Sequence, residues 1–180
     1  SLENGYVSGG FDTPGPYSNV IQKFPFATDT NSSDVGDMTE SKNSIGSHNM
    51  SKTDGYAAGG RTPPSTSLVT IEKYPFAVDT NSTDIGDLTQ ARHALGGCSS
   101  SAFGYNQGGY TAGGGERNTI DKFPFAVDTN TIDVGDCTVT LAQRGSNNSD
   151  ISGYAIGGNS PPNANSNVID KFPFASDNNS

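Results

Sequence analysis

Apolar side chains recur along this chain in short clusters at fixed intervals, separated by stretches of Gly, Ser, Thr, Asn and Asp. The cluster Ile-x-Lys-(Phe/Tyr)-Pro-Phe-Ala occupies 21–27, 71–77, 120–126 and 169–175. A Gly-Gly pair ends 11 residues before each Ile, at Gly10, Gly60, Gly109 and Gly158. Tyr6, Tyr56, Tyr105 and Tyr154 set the period at 49 or 50 residues, and Asp-(Val/Ile)-Gly-Asp follows the first three clusters at 34–37, 84–87 and 133–136. Periods of this length mark repeat architectures, in which each unit buries its apolar face only against its neighbours.

Within the second unit, residues 55–60 read as a short strand that runs into a glycine turn. Residues 61–67 read as a loop, because Pro63 and Pro64 cannot donate to a ladder. From 69 to 77 the β-branched and aromatic density is that of a strand. Alternation places Thr70, Glu72, Tyr74 and Phe76 on one side and Val69, Ile71, Lys73 and Pro75 on the other. Tyr74 and Phe76 are the expected core pair, and Pro75 points to an edge or a bulge. A polar turn at 79–83 leads to a short strand at 85–89. The segment 91–101 supplies the first strand of the next unit. In the third unit both Tyr105 and Tyr110 fit the glycine signature, and the 11-residue gap to Ile120 selects Tyr105. No segment carries a helical period, so the expected class is all-β.

Composition narrows the function. Apolar content is 31%, low enough for disorder, but aromatic residues held in phase argue for a packed fold. The net charge of −9 and the lack of a basic patch exclude a nucleic-acid footprint. No stretch of 18 apolar residues is present, so no membrane insertion is expected. Cys98 and Cys137 occupy unrelated repeat positions and read as two separate thiols rather than a framework.

Four short strands per unit suit a propeller blade, in which four antiparallel strands repeat radially. The double glycine, the aromatic a dozen residues later and Leu88-Thr89-x-x-Arg92 resemble a kelch repeat. The wording Phe-Pro-Phe-Ala…Asp-x-Gly-Asp is similar to uncharacterised tandem-repeat proteins of marine bacteriophages. These resemblances imply a kelch-like β-propeller segment, with units at about 1–40, 41–90, 91–139 and 140–180 and the first and last partial. The strands expected are 3, 4, 4 and 3, or fourteen, which is about 3.5 blades. Such a set is completed either by a longer polypeptide or by self-association of copies. The phage resemblance implies a non-catalytic virion component, such as a tail, fibre or host-attachment part. An extracellular or cell-surface adhesion propeller that binds a glycan or protein is the alternative.

Candidate chemistry lies in two places. The acidic loop Asp29, Asn31, Asp34 and Asp37 returns as Asp79, Asn81, Asp84 and Asp87, and again as Asp128, Asn130, Asp133 and Asp136. Oxygen ligands at this density suit Ca²⁺, although the glycine falls at the eighth position rather than the EF-hand sixth. The other reading is a turn whose Asp and Asn side chains satisfy backbone N–H groups. The second place is the set of loops after the double glycines, which differ between copies and carry Tyr17, Arg61, Tyr110 and Arg117, residue types frequent in binding hot spots. Lys23, Lys73, Lys122 and Lys171 read as a solvated face rather than an anion site. Catalysis has little support: His48 and His93 do not recur in phase, and Tyr56, Tyr105 and Tyr154 belong to the repeat, as an oxidase's tyrosines would not.

Overall fold

In the computed structural model, residues 3–11, 17–160 and 164–180 are described. Strands β1 (Asn4–Phe11), β2 (Tyr17–Pro25) and β3 (Ser33–Asp37) form the first antiparallel sheet. The second contains β4 (Ser47–Met50), β5 (Asp54–Ala58), β8 (Thr70–Pro75) and β9 (Thr83–Asp87), and a two-stranded arm, β6 (Arg61–Thr62) with β7 (Thr66–Ser67), projects between β5 and β8. The third repeats it with β10 (Gly96–Ser99), β11 (Phe103–Gln107), β14 (Thr119–Pro124) and β15 (Ile132–Asp136), its arm being β12 (Tyr110–Thr111) and β13 (Gly115–Glu116). The fourth has β16 (Gly145–Asn148), β17 (Ser152–Ile156) and β20 (Ile169–Pro173), with the arm β18 (Asn159–Ser160) and β19 (Ala164–Asn165). The fold is all-β, built from several antiparallel sheets, and its described residues include no helix.

The four sheets contain the fourteen strands read from the sequence. The arms were not anticipated: 61–67 pairs Arg61 with Ser67 and Thr62 with Thr66 instead of wandering as a loop. Prolines at 63 and 64 sit at the exposed tip, outside the ladder, and so cost no hydrogen bond. The loops read at 11–17 and 159–165 fall partly outside the described residues. Tyr105 is in β11, opposite Lys122, as Tyr56 is opposite Lys73, so the 11-residue gap selected the correct register.

The expectation of one core face per strand needs correction. Ile71 and Tyr74 point to opposite sides of β8, and both are buried. Tyr74 packs with Ile21, Met38 and Ala57 towards the first sheet, and Ile71 packs with Tyr56, Leu88 and Phe123 towards the third. A sheet covered on both faces has no polar side to alternate with its core. The irregularity that Pro75 suggested falls elsewhere. Pro75 ends β8, and the register shift lies between Ile71 and Glu72, where Ile85 is the extra residue on the facing strand.

Candidate functional site

The repeated residues meet at the junctions between consecutive sheets. The repeat tyrosines of the first three units each stack on the second aromatic of the next unit's Pro-containing cluster. Tyr6 lies 4.8 Å from Phe76, Tyr56 4.9 Å from Phe125 and Tyr105 4.9 Å from Phe174, with interplanar angles of 28°, 20° and 21°. The first aromatic of the cluster covers the glycine opposite it in its own sheet, as Tyr74 covers Gly55 and Phe123 covers Gly104. Pooling rings in this way buries area that a lone two-faced sheet would leave wet.

The acidic loops are part of the same junctions. The lysine of one unit reaches the first Asp of the next unit's loop: Lys23 to Asp79 at 2.6 Å, Lys73 to Asp128 at 2.5 Å and Lys122 to Asp177 at 2.8 Å. The hydrogen bond to Asp79 raises the Lys23 ammonium above its ordinary pKa. The loop Asn accepts a hydrogen bond from the last Asp N–H of the preceding Asp-x-Gly-Asp. Asp37 donates to Asn81, Asp87 to Asn130 and Asp136 to Asn179, each at 3.0 Å. The first Asp of that motif accepts from the N–H two residues on, as Asp34 does from Gly36, Asp84 from Gly86 and Asp133 from Gly135. This is the backbone-satisfying role that short acidic side chains take in turns. Among the described residues no group of three or more His, Cys, Asp or Glu converges as a metal site would require.

Both glycine motifs are explained by close approach of the next unit. A Cβ on Gly86, whose φ is +152°, would stand 2.5 Å from Thr129 O. At the double glycine, a Cβ on Gly59 (φ +65°) would stand 2.3 Å from Arg92 O, and Gly60 N–H donates to that same carbonyl at 3.0 Å. Gly10 and Gly109 donate in the same way to Lys42 O and Leu141 O.

A buried ion pair stands behind each crossover. Lys42 pairs with Glu72 at 2.6 Å, Arg92 with Asp121, and Arg144 with Asp170 at 2.6 Å, all nearly inaccessible to solvent. Each carboxylate also accepts from the Thr that follows the preceding sheet: Thr39, Thr89 and Thr138. Burial by itself raises the Glu72 carboxyl, but Lys42 and the hydrogen bonds from Ser82 and Thr39 overcome this and hold it below its ordinary value. The third crossover exchanges two positions. Leu141 stands where Arg92 does and Arg144 where Leu95 does, because Ser44, Ala94 and Gln143 are the matching positive-φ residues (51°, 53° and 54°). The guanidinium still reaches its carboxylate.

The hot-spot residues read from the sequence are mostly held by the scaffold. Tyr110 is half-buried with its ring 5.3 Å from His93, and Arg117 folds back onto Gly114 O and donates to Gln90 Oε1 at 3.0 Å. Arg61 is half-buried in its arm, and Tyr17 rests edge-on against Phe11. The exposed arm tips are small residues at 63–65 and 112–114.

A cavity of about 770 Å³ opens at the opposite end, where β4, β10 and β16 lie side by side. Its lining includes His48, Met50, Lys52, Cys98, Asn148 and Asp150. The mouth is shaped by a serine turn in three units, in which Ser51, Ser100 and Ser149 each accept hydrogen bonds from two following N–H groups. This site was missed because its lining differs from unit to unit, although the three serines recur at the repeat period. Cys98 and Cys137 are free and buried, and burial pushes their thiols up to about 12 and about 11. The chain matches no protein-family model and no curated protein.

Proposed function

We propose that this chain is a kelch-like β-propeller segment acting as a non-catalytic structural and binding module, a phage virion component of the tail, fibre or host-attachment kind. The observation that carries the reading is the commitment of the repeated polar residues to junctions, which leaves the non-repeating residues of the cavity mouth to meet a ligand. Met50, Lys52, Asn148 and Asp150 are exposed there and take no part in the junctions described above. Amide, hydroxyl and opposite-charge groups beside an apolar side chain suit a glycan, whose hydroxyls need both donors and acceptors.

The test is a glycan array and a panel of bacterial cells probed with the fluorescent chain. Two variants run beside it. One carries Met50→Ala, Lys52→Glu and Asp150→Lys, and the other has residues 63–65 and 112–114 each trimmed to an Asn-Gly turn. The expected result is binding that the mouth variant loses and the trimmed variant keeps, with both still folded. Loss on trimming alone would move the site to the arms. Finding the chain's peptides in soluble fractions and never in purified particles would overturn the virion assignment.

A further inference from the structure

His93 breaks the repeat at a place where the backbone does not. In each crossover one residue exchanges two backbone hydrogen bonds with the first residue of an arm: Asn43 with Arg61, His93 with Tyr110 and Ala142 with Asn159. The three bridges are alike, with N–H to oxygen distances between 2.8 and 3.0 Å. Of the three side chains only the imidazole can change its charge, and the shared backbone pairing does not call for one.

The ring stands between two arms. Its Nδ1 is 2.9 Å from Ser67 Oγ, at the end of the β6–β7 arm, and Ser67 Oγ accepts from Ala112 N–H, in the β12–β13 arm, at 2.9 Å. His93 and Ser67 are 8% and 7% exposed, so little water reaches either. A neutral imidazole can accept the Ser67 hydroxyl proton at Nδ1, which leaves the Ser67 oxygen free to hold Ala112. A protonated ring donates from Nδ1 instead, and the Ser67 proton is turned away into a buried site. The groups facing the ring also oppose a charge on it. Arg61, from β6, is a cation whose Nε is buried without a hydrogen-bond partner among the described residues, and Tyr110, from β12, is the other titratable neighbour. Glu116, the carboxylate of the second arm, is opposite Tyr110 on β13. Burial first and the Arg61 charge second hold the imidazole below its ordinary pKa of 6.5.

We infer that His93 is a proton-operated latch between the two arms, closed while the imidazole is neutral and released when it takes up a proton. Release solvates the ring and frees Ala112 N–H, so the arm tips at 63–65 and 112–114 part. The closed form excludes a proton that the open form accepts. The latch therefore holds fully above 6.5 and is lost as pH falls through 6.5 towards the lowered value. It is independent of the ligand reading above, whose site lies at the other end of the sheets.

Amide exchange at Ala112, followed by NMR on the 180-residue chain and corrected for intrinsic rates, tests the latch between about pH 5 and 8. Below 6.5 the opening constant of the wild type should rise by up to about tenfold per pH unit, as uptake of one proton requires. His93→Asn, which copies Asn43 of the preceding crossover, should fold and lose that dependence. The Asn159 amide, bonded to Ala142 O in the next bridge, should show none in either protein. The imidazole itself, titrated through its carbon-bound protons, should have a midpoint below 6.5 that Arg61→Gln raises. Three results would each overturn the latch: Ala112 protection that stays constant across the range, a His93→Asn variant that keeps the dependence, or an imidazole midpoint at or above 6.5.

Discussion

Replacing Lys42 by Met removes the cation from a carboxylate that has nowhere to go. The Glu72 side chain is inaccessible to solvent, and without Lys42 its remaining partners are the Ser82 hydroxyl and Thr39 N–H. Breaking one side of a buried pair costs about 3–5 kcal/mol, because the survivor is left charged and desolvated. For a chain of this length that is roughly 6–20 °C in melting temperature. The pH dependence gives the sharper signature. Glu72 is held below its ordinary value of 4.5, so its contribution is present above that pH and is lost as pH falls through the lowered value. Without Lys42, burial raises the Glu72 carboxyl of the variant, so the Lys42→Met deficit is largest where that carboxyl is ionised, begins to shrink on acidification above 4.5 as it takes up a proton, and goes on shrinking until the wild-type carboxyl protonates below 4.5. Thermal or urea melts followed by circular dichroism at pH 7 and across the acid range provide the measurement. A variant as stable as wild type at neutral pH, or a deficit that grows with acid, would refute the reasoning.

Two further outcomes are expected. Gly86→Ala should lower stability by roughly 2–5 kcal/mol, through backbone strain and a clash with the Thr129 carbonyl, whereas Gly113→Ala, with open space around its Cβ position, should pay for backbone strain alone. Equal melting temperatures for Gly86→Ala and wild type would contradict the close approach at that junction. Cys98 and Cys137 should resist a maleimide reagent at neutral pH and react promptly in denaturant, because burial both hides the thiols and suppresses the thiolate. Mass spectrometry that finds prompt native labelling at both would count against their burial.

The repeat made the strands legible because aromatic and β-branched residues return in phase, and glycine spacing alone placed Tyr105 rather than Tyr110 in β11. The partners were less legible. Glu72, Asp121 and Asp170 each sit beside a lysine in sequence, yet their cations come from 26 to 30 residues earlier, across a crossover. Arg144 was harder still, having changed places with Leu141. The acidic loops offered two readings at the level of residue type. Only the position of the following unit shows that Asp79 meets a lysine and Asn81 a backbone N–H. The arms escaped because two-residue strands leave no period to detect. The cavity escaped because repeat logic draws attention to what recurs, and its lining does not.

Since the ring stack, the lysine-to-aspartate bridge and the Asn-to-backbone hydrogen bond between the first and second sheets return at matched positions in the two junctions that follow, that part of the seam is indifferent to how many times it is used. A duplication or deletion of one whole 49-residue stretch would bring together halves that already fit, with no compensating substitution. Length is thus a variable this architecture leaves open to copying errors in the gene, while the stacked rings and the lysine-to-aspartate bridge of each seam are kept.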